Sequence, residues 1–219
     1  LSSMPGVTAF GAYIPRLRLQ RSAIAAANVW FDGSLKGHAR GERAMCNWDE
    51  DPVTMAVAAA RDCGPLGDIG AVTLASTTAP FADRQNAGIV AEAINLGANV
   101  RTMDVGGSQR AGTTALLSML DTVETGPGQG LVVASEHRKS RVGSVLEMVG
   151  GDAAAALVIS ADDGIAKYLG GTTLAVDFID HFRGEGESFD YEWEERWVRD
   201  EGFLKVVPAA VHRLLQSTD

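Results

Sequence analysis

The chain of 219 residues has only two cysteines, Cys46 and Cys63, too few for a disulfide framework and without the spacing of a metal-binding motif. Basic residues are also scarce: 19 Lys and Arg stand against 28 Asp and Glu, for a formal net charge of −9. Nucleic acids are bound through clustered Lys and Arg, so this balance argues against them as partners. No apolar run reaches the roughly 18–20 residues that cross a bilayer, and no signal-peptide pattern opens the chain. We therefore expect a cytoplasmic protein that binds neither nucleic acid nor membrane.

Aromatic residues make up only 6% of the chain, yet they concentrate near its end. The range 177–201 holds six of the fourteen aromatic residues, together with ten acidic and three basic residues. Aromatic residues among acids indicate a loop that packs its rings and solvates its charges. The change in composition predicts a main domain over 1–176 and a separate acidic, aromatic segment over 177–219.

Before that segment, the hydropathy pattern alternates between strands and helices. The predicted strands are 7–14, 71–76, 100–105, 130–135, 153–160 and 172–179. The predicted helices are 21–28, 52–63, 83–96, 109–124 and one that begins at about residue 208. Strands separated by helices favour an α/β fold with a layered, mainly parallel sheet.

The range 102–115 carries the first candidate site, a strand that passes through a glycine turn into a helix of small residues. Such a turn lies at a helix N-terminus, where free N–H groups stabilise developing negative charge. Gln109, preceded by Ser108, occupies that position. Glutamine is not a nucleophile, and an ordinary polar turn between a strand and a helix is the alternative interpretation.

Two basic segments are candidates for binding an anionic tail such as a nucleotide phosphate. One is a glycine-containing arm over 36–52. The other follows the buried strand 131–135, at the strand end where α/β folds place their ligands. Their basic side chains are Lys36, Arg40, Arg43, Arg138, Lys139 and Arg141. Solvated surface loops are the alternative for both segments.

Taken in order, these segments resemble the amino-terminal half of the thiolase superfamily. The similarity is greatest to hydroxymethylglutaryl-CoA synthase and next to ketoacyl-ACP synthase III. The matching pieces extend over essentially the whole chain and are 6–15, 37–51, 74–81, 104–115, 131–135, 151–155 and 177–201. The resemblance implies half of a layered αβαβα fold and a coenzyme A thioester as substrate.

The resemblance also identifies what this chain lacks. The family acylates a cysteine at the elbow, where this chain has Gln109, five residues after Asp104. The synthases place an acid/base glutamate where this chain has Thr77. The family's histidine belongs to the carboxyl half, and none of this chain's histidines corresponds to it. The implied pocket, lined by Gln109, Ser108 and Thr77, therefore forms no acyl-cysteine.

Cys46 is a poor substitute for the missing nucleophile. It lies in the arm beside Asp49, Glu50 and Asp51, whose carboxylates are expected to raise the pKa of its thiol and so reduce its reactivity. We expect neither a cysteine nucleophile nor a metal site in this chain. Gly151 and Asp152, ahead of four alanines, are interpreted as a turn followed by close sheet packing.

Three functions are consistent with these residues. The first is an enzyme that makes or breaks a carbon–carbon bond in an acyl-CoA, as an aldolase-type lyase or a decarboxylase, with the Gln109 amide stabilising an enolate. The second is a non-catalytic subunit that supports an active thiolase-like partner and an OB-fold, zinc-ribbon acyl-CoA-binding protein. The third is a hydroxymethylglutaryl-CoA synthase-like acyltransferase. The family's mode of coenzyme A binding implies contacts from Trp30 and from the six basic side chains named above.

The helix predicted over 109–124 bears on the assembly of the protein. It is almost entirely small or apolar, and such a helix needs cover on every side. We therefore expect a fragment or one part of a split enzyme, stabilised by a second polypeptide that carries the carboxyl-terminal half. The family also implies a homodimer or hetero-oligomer that forms through the strand 100–105.

Overall fold

The computed structural model describes residues 4–126, 128–162 and 164–218. They divide into two compact units, one within 4–138 and 142–168, the other formed by 139–141 and 169–218. The boundary predicted at residue 176 lies inside the second unit and stays a prediction.

A six-stranded sheet forms the centre of the first unit. Its strands are β1 (Gly6–Tyr13), β4 (Ile69–Ala75), β5 (Arg101–Val105), β6 (Gln129–Glu136), β7 (Ala153–Ser160) and β8 (Ala166–Lys167), in the spatial order β5-β4-β6-β7-β1-β8. β4 runs parallel to β5 and β6, whereas β7 is antiparallel to both β6 and β1, and β8 is antiparallel to β1. Four of the six strands therefore point in one direction, which confirms a mainly parallel mixed sheet.

The central strands β4 and β6 are buried on both faces, which explains their continuous apolar sequences. The helices of this unit are α1 (Arg21–Asn28), α2 (Pro52–Asp62), α3 (Asn86–Ala93), α4 (Ala111–Thr125) and α5 (Val145–Val149). α2 and α3 pack on one face, against side chains that include Leu74 and Val133, and α4 packs on the other, against Ala75 and Val132. Within the described part of the chain, no helix is long and apolar enough to cross a membrane.

Local hydrogen bonds set where these helices begin and end. α2 starts with a reciprocal capping box, in which the Asp51 carboxylate accepts from Thr54 N at 2.7 Å and the Thr54 hydroxyl accepts from Asp51 N at 2.7 Å. α3 is shorter than the predicted 83–96, because it begins where Asp104 caps it and ends before Asn95, which has a left-handed φ of 57°. α4 likewise begins two residues after Gln109, once the turn is complete.

A separate two-stranded ribbon contains part of the arm predicted over 36–52. β2 (Leu17–Gln20) and β3 (Glu42–Met45) pair in antiparallel register, with Gln20 opposite Glu42. The chain between them forms α1 and a 3₁₀ helix over Gly33–His38. Leu35 in this helix is fully buried with Met148 of α5 in a small third core. The arm is therefore a packed element of the first unit.

The second unit is built around its aromatic residues, as the composition predicts. A short hairpin of β9 (His181–Phe182) and β10 (Tyr191–Glu192) precedes α6 (Glu195–Trp197), a π-helical segment (Val198–Phe203) and α7 (Leu204–Thr218). Trp197 stacks on Phe178 at 4.6 Å between ring centroids and contacts Trp193 at 5.2 Å. The strand predicted over 172–179 is wrong: no described strand pairs with this segment, and the Phe178 ring instead packs against Trp197 and Gly202.

The contact between β1 and α2 gives a test of the fold. A Cβ added at Gly11 would lie 2.3 Å from the Ala59 oxygen and 2.5 Å from the Cys63 nitrogen, both backbone atoms that cannot rotate away. Gly11→Ala is therefore expected to lower the free energy of unfolding by about 1–3 kcal/mol, measured by urea denaturation. The control is Gly97→Ala, where no heavy atom lies within 4 Å. Equal denaturation midpoints for the two variants would contradict this packing.

Candidate active site

The carboxyl ends of three parallel strands meet at one edge of the sheet. Ala75 at the end of β4 pairs with Val105 of β5 on one side and with Ala134 of β6 on the other. The backbone continues this pairing for one residue, since Ser76 N donates to Val105 O at 3.0 Å. The segments that follow these strands therefore lie side by side, at the edge where α/β sheets bind ligands.

A carboxylate occupies this edge. Glu136, the last residue of β6, accepts hydrogen bonds from Thr77 N at 2.6 Å, Thr77 Oγ1 at 3.2 Å and Thr78 Oγ1 at 2.7 Å. The Thr78 hydroxyl in turn accepts from His137 N at 3.0 Å. No role for Glu136 was predicted from the sequence. Its position directly after a buried strand was the signal that could have identified it.

Thr77, predicted to line the pocket, thus has a defined local partner. Its backbone and side chain both hold the Glu136 carboxylate, which reaches it from the neighbouring strand. The loop after β4 therefore supplies hydroxyl and amide donors, and β6 supplies the acidic group. A carboxylate held by three donors in a half-buried position has a fixed orientation.

The glycine turn after β5 places Ser108 and Gln109 before α4. Gly107 adopts a positive φ of 72°, a conformation that favours glycine. Ser108 stabilises the turn, because its carbonyl accepts from Ala111 N at 2.9 Å and its hydroxyl accepts from Arg110 N at 3.1 Å. Both Ser108 and Gln109 are exposed. The first turn of α4 directs its backbone N–H groups towards this edge, an arrangement suited to stabilising negative charge.

Asp104 attaches this turn to the rest of the first unit. Its carboxylate accepts from Asn86 N and Ala87 N, both at 2.7 Å, and from Asn86 Nδ2 at 2.9 Å. Asn86 is buried and begins α3. The end of β5 and the start of α3 are therefore tied together just before the elbow.

Trp30 and the six basic residues predicted to bind coenzyme A do not all belong to the same unit. Trp30 (82% exposed), Lys36 and Arg40 are exposed in the connection between β2 and β3. Arg43 is half-buried and donates to Glu147 O at 2.8 Å, and the half-buried Arg138 also belongs to the first unit. Lys139 and Arg141 belong to the second unit, in which the Arg141 guanidinium lies 5.8 Å from the ring centroid of Phe189.

The pKa of the Cys46 thiol is raised, as the sequence predicts, but not only by the carboxylates that are its neighbours in sequence. Burial, and then the nearby carboxylate of Asp152, raise the pKa of this thiol to about 12, with smaller effects from Glu50 and Asp51. Only the acidic neighbours in sequence were foreseen. Asp152 lies far away in the chain, is buried, and accepts a hydrogen bond from Cys46 N at 2.8 Å.

Comparison with curated proteins finds hydroxymethylglutaryl-CoA synthases from several organisms. Hydroxymethylglutaryl-CoA synthase of Methanosphaera stadtmanae is 29% identical over 225 residues, which are 98% of this chain and 64% of that protein. The protein of the same name in Methanocaldococcus jannaschii is 32% identical over 195 residues, or 85% of this chain and 56% of that protein. The chain thus spans about three fifths of the length of these relatives. No family profile matches the chain.

Solved structures show the same fold. A hydroxymethylglutaryl-CoA synthase complexed with CoA superposes with a TM-score of 0.84 at 19% identity, over 98% of this chain and 56% of that chain. The 3-oxoacyl-(acyl carrier protein) synthase III of Pseudomonas aeruginosa superposes with a TM-score of 0.64 at 22% identity, over 73% of this chain and 51% of that chain. The chain therefore resembles hydroxymethylglutaryl-CoA synthases in sequence and shares the thiolase-like fold of these solved structures.

Proposed function

We propose that the chain binds an acyl thioester of coenzyme A at the strand-end site and makes or breaks a carbon–carbon bond there without forming an acyl-enzyme. The observation that carries this proposal is the Glu136 carboxylate, which Thr77 and Thr78 hold at the same edge of the sheet from which the glycine elbow continues β5. This edge combines an oriented acid/base group with a helix N-terminus. Those are the two elements that enolate chemistry requires.

Glu136 is the proton-transfer group in this proposal. With a 3-hydroxyacyl-CoA, its carboxylate removes the proton of the 3-hydroxyl group. The bond between carbons 2 and 3 then breaks, carbon 3 leaves as a carbonyl compound, and the electron pair moves into the thioester enolate. Protonation of carbon 2 by the Glu136 carboxylic acid gives the shortened acyl-CoA and restores the carboxylate. The reverse sequence forms the same bond.

Gln109 stabilises the enolate that forms in this step. Its side-chain amide donates a hydrogen bond to the thioester oxygen as negative charge develops there, supported by the N-terminus of α4. Ser108 and Thr77 line the pocket. In this proposal Gln109 corresponds to the acylated cysteine of the family, and an amide offers no nucleophile for acylation.

Acyl transfer is the second candidate function, and the relatives favour it. The curated proteins that resemble this chain are hydroxymethylglutaryl-CoA synthases. One solved neighbour is in complex with CoA and another with 3-hydroxy-3-methylglutaryl coenzyme A. Both candidate functions require binding of a coenzyme A thioester, and they differ in whether the protein becomes acylated.

Glu136→Gln distinguishes a proton-transfer role from a purely structural one. It preserves the size of the side chain but removes its basicity, so cleavage of a 3-hydroxyacyl-CoA is expected to fall by about 10²–10⁴-fold. The products are measured by chromatography and the protein by intact mass, which is expected to stay unmodified after incubation with acetyl-CoA. The control is Glu92→Gln, at an exposed position on α3, which is expected to keep the wild-type rate.

Two results would contradict this function. An acetyl adduct on any residue from Ser108 to Ala111 would show acyl transfer of the synthase type. Binding of the thioester without turnover would instead favour a non-catalytic subunit.

We further propose that the exposed arm binds the nucleotide portion of coenzyme A. Trp30 offers a free ring face for the adenine, and Lys36 and Arg40 offer exposed cationic groups for its phosphates. Arg43 and Arg138 complete the proposed set within the first unit, and Lys139 and Arg141 of the second unit stay predictions from the resemblance. Arg43 is already bonded to the carbonyl of Glu147, so its removal also disturbs the packing of α5.

Arg40→Ala is accordingly the cleanest test of the arm. Loss of one charge-assisted phosphate contact is expected to weaken coenzyme A binding by about 1–3 kcal/mol at low salt, measured by calorimetry. The control is Arg84→Ala, whose guanidinium lies over the Phe81 ring outside the arm. Unchanged affinity for coenzyme A in Arg40→Ala and Arg43→Ala would show that the arm does not bind coenzyme A.

We also propose that the chain works in an assembly. Its partner would be a second polypeptide carrying the carboxyl-terminal half, with a homodimer through β5 or an OB-fold, zinc-ribbon acyl-CoA-binding protein as further contacts. The support is that β5 is an edge strand with Met103 40% exposed. Edge strands and exposed apolar side chains are typical of association surfaces.

Met103→Lys tests the contact through β5. It places a charge on this strand and is expected to convert a dimer into a monomer in sedimentation velocity, because burying an unpaired ammonium group is costly. Val142→Lys, at an exposed apolar residue outside β5, is expected to leave the dimer intact. A wild-type chain that sediments as a monomer and unfolds cooperatively would contradict the proposed assembly.

A further inference from the structure

Three side chains with metal-binding atoms meet in the first unit, beside the proposed active site. They are Cys46, His137 and Asp152, which offer one sulfur, one imidazole nitrogen and one carboxylate oxygen. These three atoms all lie within 4.8 Å of one another. None of the three has a role in the function proposed above.

We propose that Cys46, His137 and Asp152 form a binding site for one divalent transition-metal ion of the zinc type. The ion displaces the proton of the Cys46 thiol, which is released to solvent. The resulting thiolate, with an imidazole and a carboxylate, matches the ligand preferences of zinc and cobalt. Magnesium and calcium are excluded as natural occupants, because these hard cations take oxygen ligands. Three protein ligands leave a fourth tetrahedral position for water or a bound molecule.

The distances suit such an ion. With Zn–S near 2.3 Å and Zn–N and Zn–O near 2.0–2.1 Å, the ligand atoms of a tetrahedral site lie about 3.3–3.8 Å apart. His137 Nδ1 is already 3.0 Å from Asp152 Oδ2. The three atoms need to move by only about 1 Å or less to reach coordinating positions, a shift that side-chain rotation supplies.

The surroundings of the ligands support a built site. Asp152 is only 2% exposed, and buried carboxylates are normally paired or bound to metals. His137 Nδ1 is itself buried, yet within the described residues it has no hydrogen-bond partner, although it faces the Asp152 carboxylate. An ion bound to both side chains would give the buried His137 nitrogen the partner that it lacks.

The backbone fixes all three ligands. Cys46 directly follows β3, and its N–H group donates to Asp152 Oδ2 at 2.8 Å. Asp152 precedes β7, and its N–H group donates to Ala44 O at 3.3 Å. His137 directly follows β6, and its N–H group donates to the Thr78 hydroxyl. The ligands are therefore held before the ion arrives, which reduces the entropy lost on binding.

The position of the site suggests what the ion does. His137 adjoins Glu136 in sequence, and Thr78 bonds both residues. An ion on His137 would hold the turn that carries the proposed base. The His137 side chain is 38% exposed, although its Nδ1 atom is buried.

Cobalt titration of the metal-stripped chain tests the site. Co²⁺ is expected to bind with a stoichiometry of one and to produce the near-ultraviolet absorption of a thiolate-to-cobalt charge transfer, which Zn²⁺ then abolishes. Mg²⁺ is expected to leave the spectrum unchanged. Cys46→Ala should remove the charge-transfer band. It should also weaken binding at least as much as the roughly 10–100-fold that loss of an outer-shell partner costs.

The second cysteine is a matched control. Cys63 is also half-buried and forms no disulfide, but its sulfur donates to the carbonyls of Ala59 and Ala156 and Cys63 is not part of the cluster, so Cys63→Ala should retain the band. His137→Gln, at the most accessible ligand, keeps the test valid if Cys46→Ala does not fold, and should also weaken binding at least tenfold. Absence of the band in the wild type, or equal affinity in wild type and Cys46→Ala, would overturn the proposal.

Discussion

The placement of β4 between two parallel neighbours is the constraint on which this molecule depends. Parallel pairing to both β5 and β6 brings three strand ends to one edge, and each end continues into a polar segment. The threonines after β4 then meet the carboxylate at the end of β6, and the glycine elbow follows β5. The antiparallel strand β7 lies next to β6 and brings Asp152 to the neighbouring region. Both proposed sites follow from this strand order.

Much of the fold could be predicted from hydropathy and end signals. The helix over 21–28 has the predicted bounds, and the helix predicted over 52–63 begins at Pro52 as expected. The segment 172–179 was misassigned, because an apolar run specifies burial but does not supply a partner strand. The length of α3 was overestimated, because its first residue is determined by Asp104, a contact between distant parts of the chain.

The candidate site was only partly predictable for the same reason. Sequence pattern located the elbow with Ser108 and Gln109, since a strand, a glycine turn and a helix are contiguous there. It missed Glu136, whose partners are some sixty residues away. It also attributed the low reactivity of Cys46 to sequence neighbours, whereas burial and Asp152 dominate. Contacts that depend on the pairing of separate strands cannot be read from local spacing.

The carboxylate of Asp104 has a mechanical consequence. It closes β5 and opens α3 with three hydrogen bonds, only five residues before Gln109. The elbow thereby shares its support with a second helix, and strain applied to either is transmitted to the other. A ligand that displaces Gln109 therefore also has to displace the end of β5 and the starts of α3 and α4, which move as one.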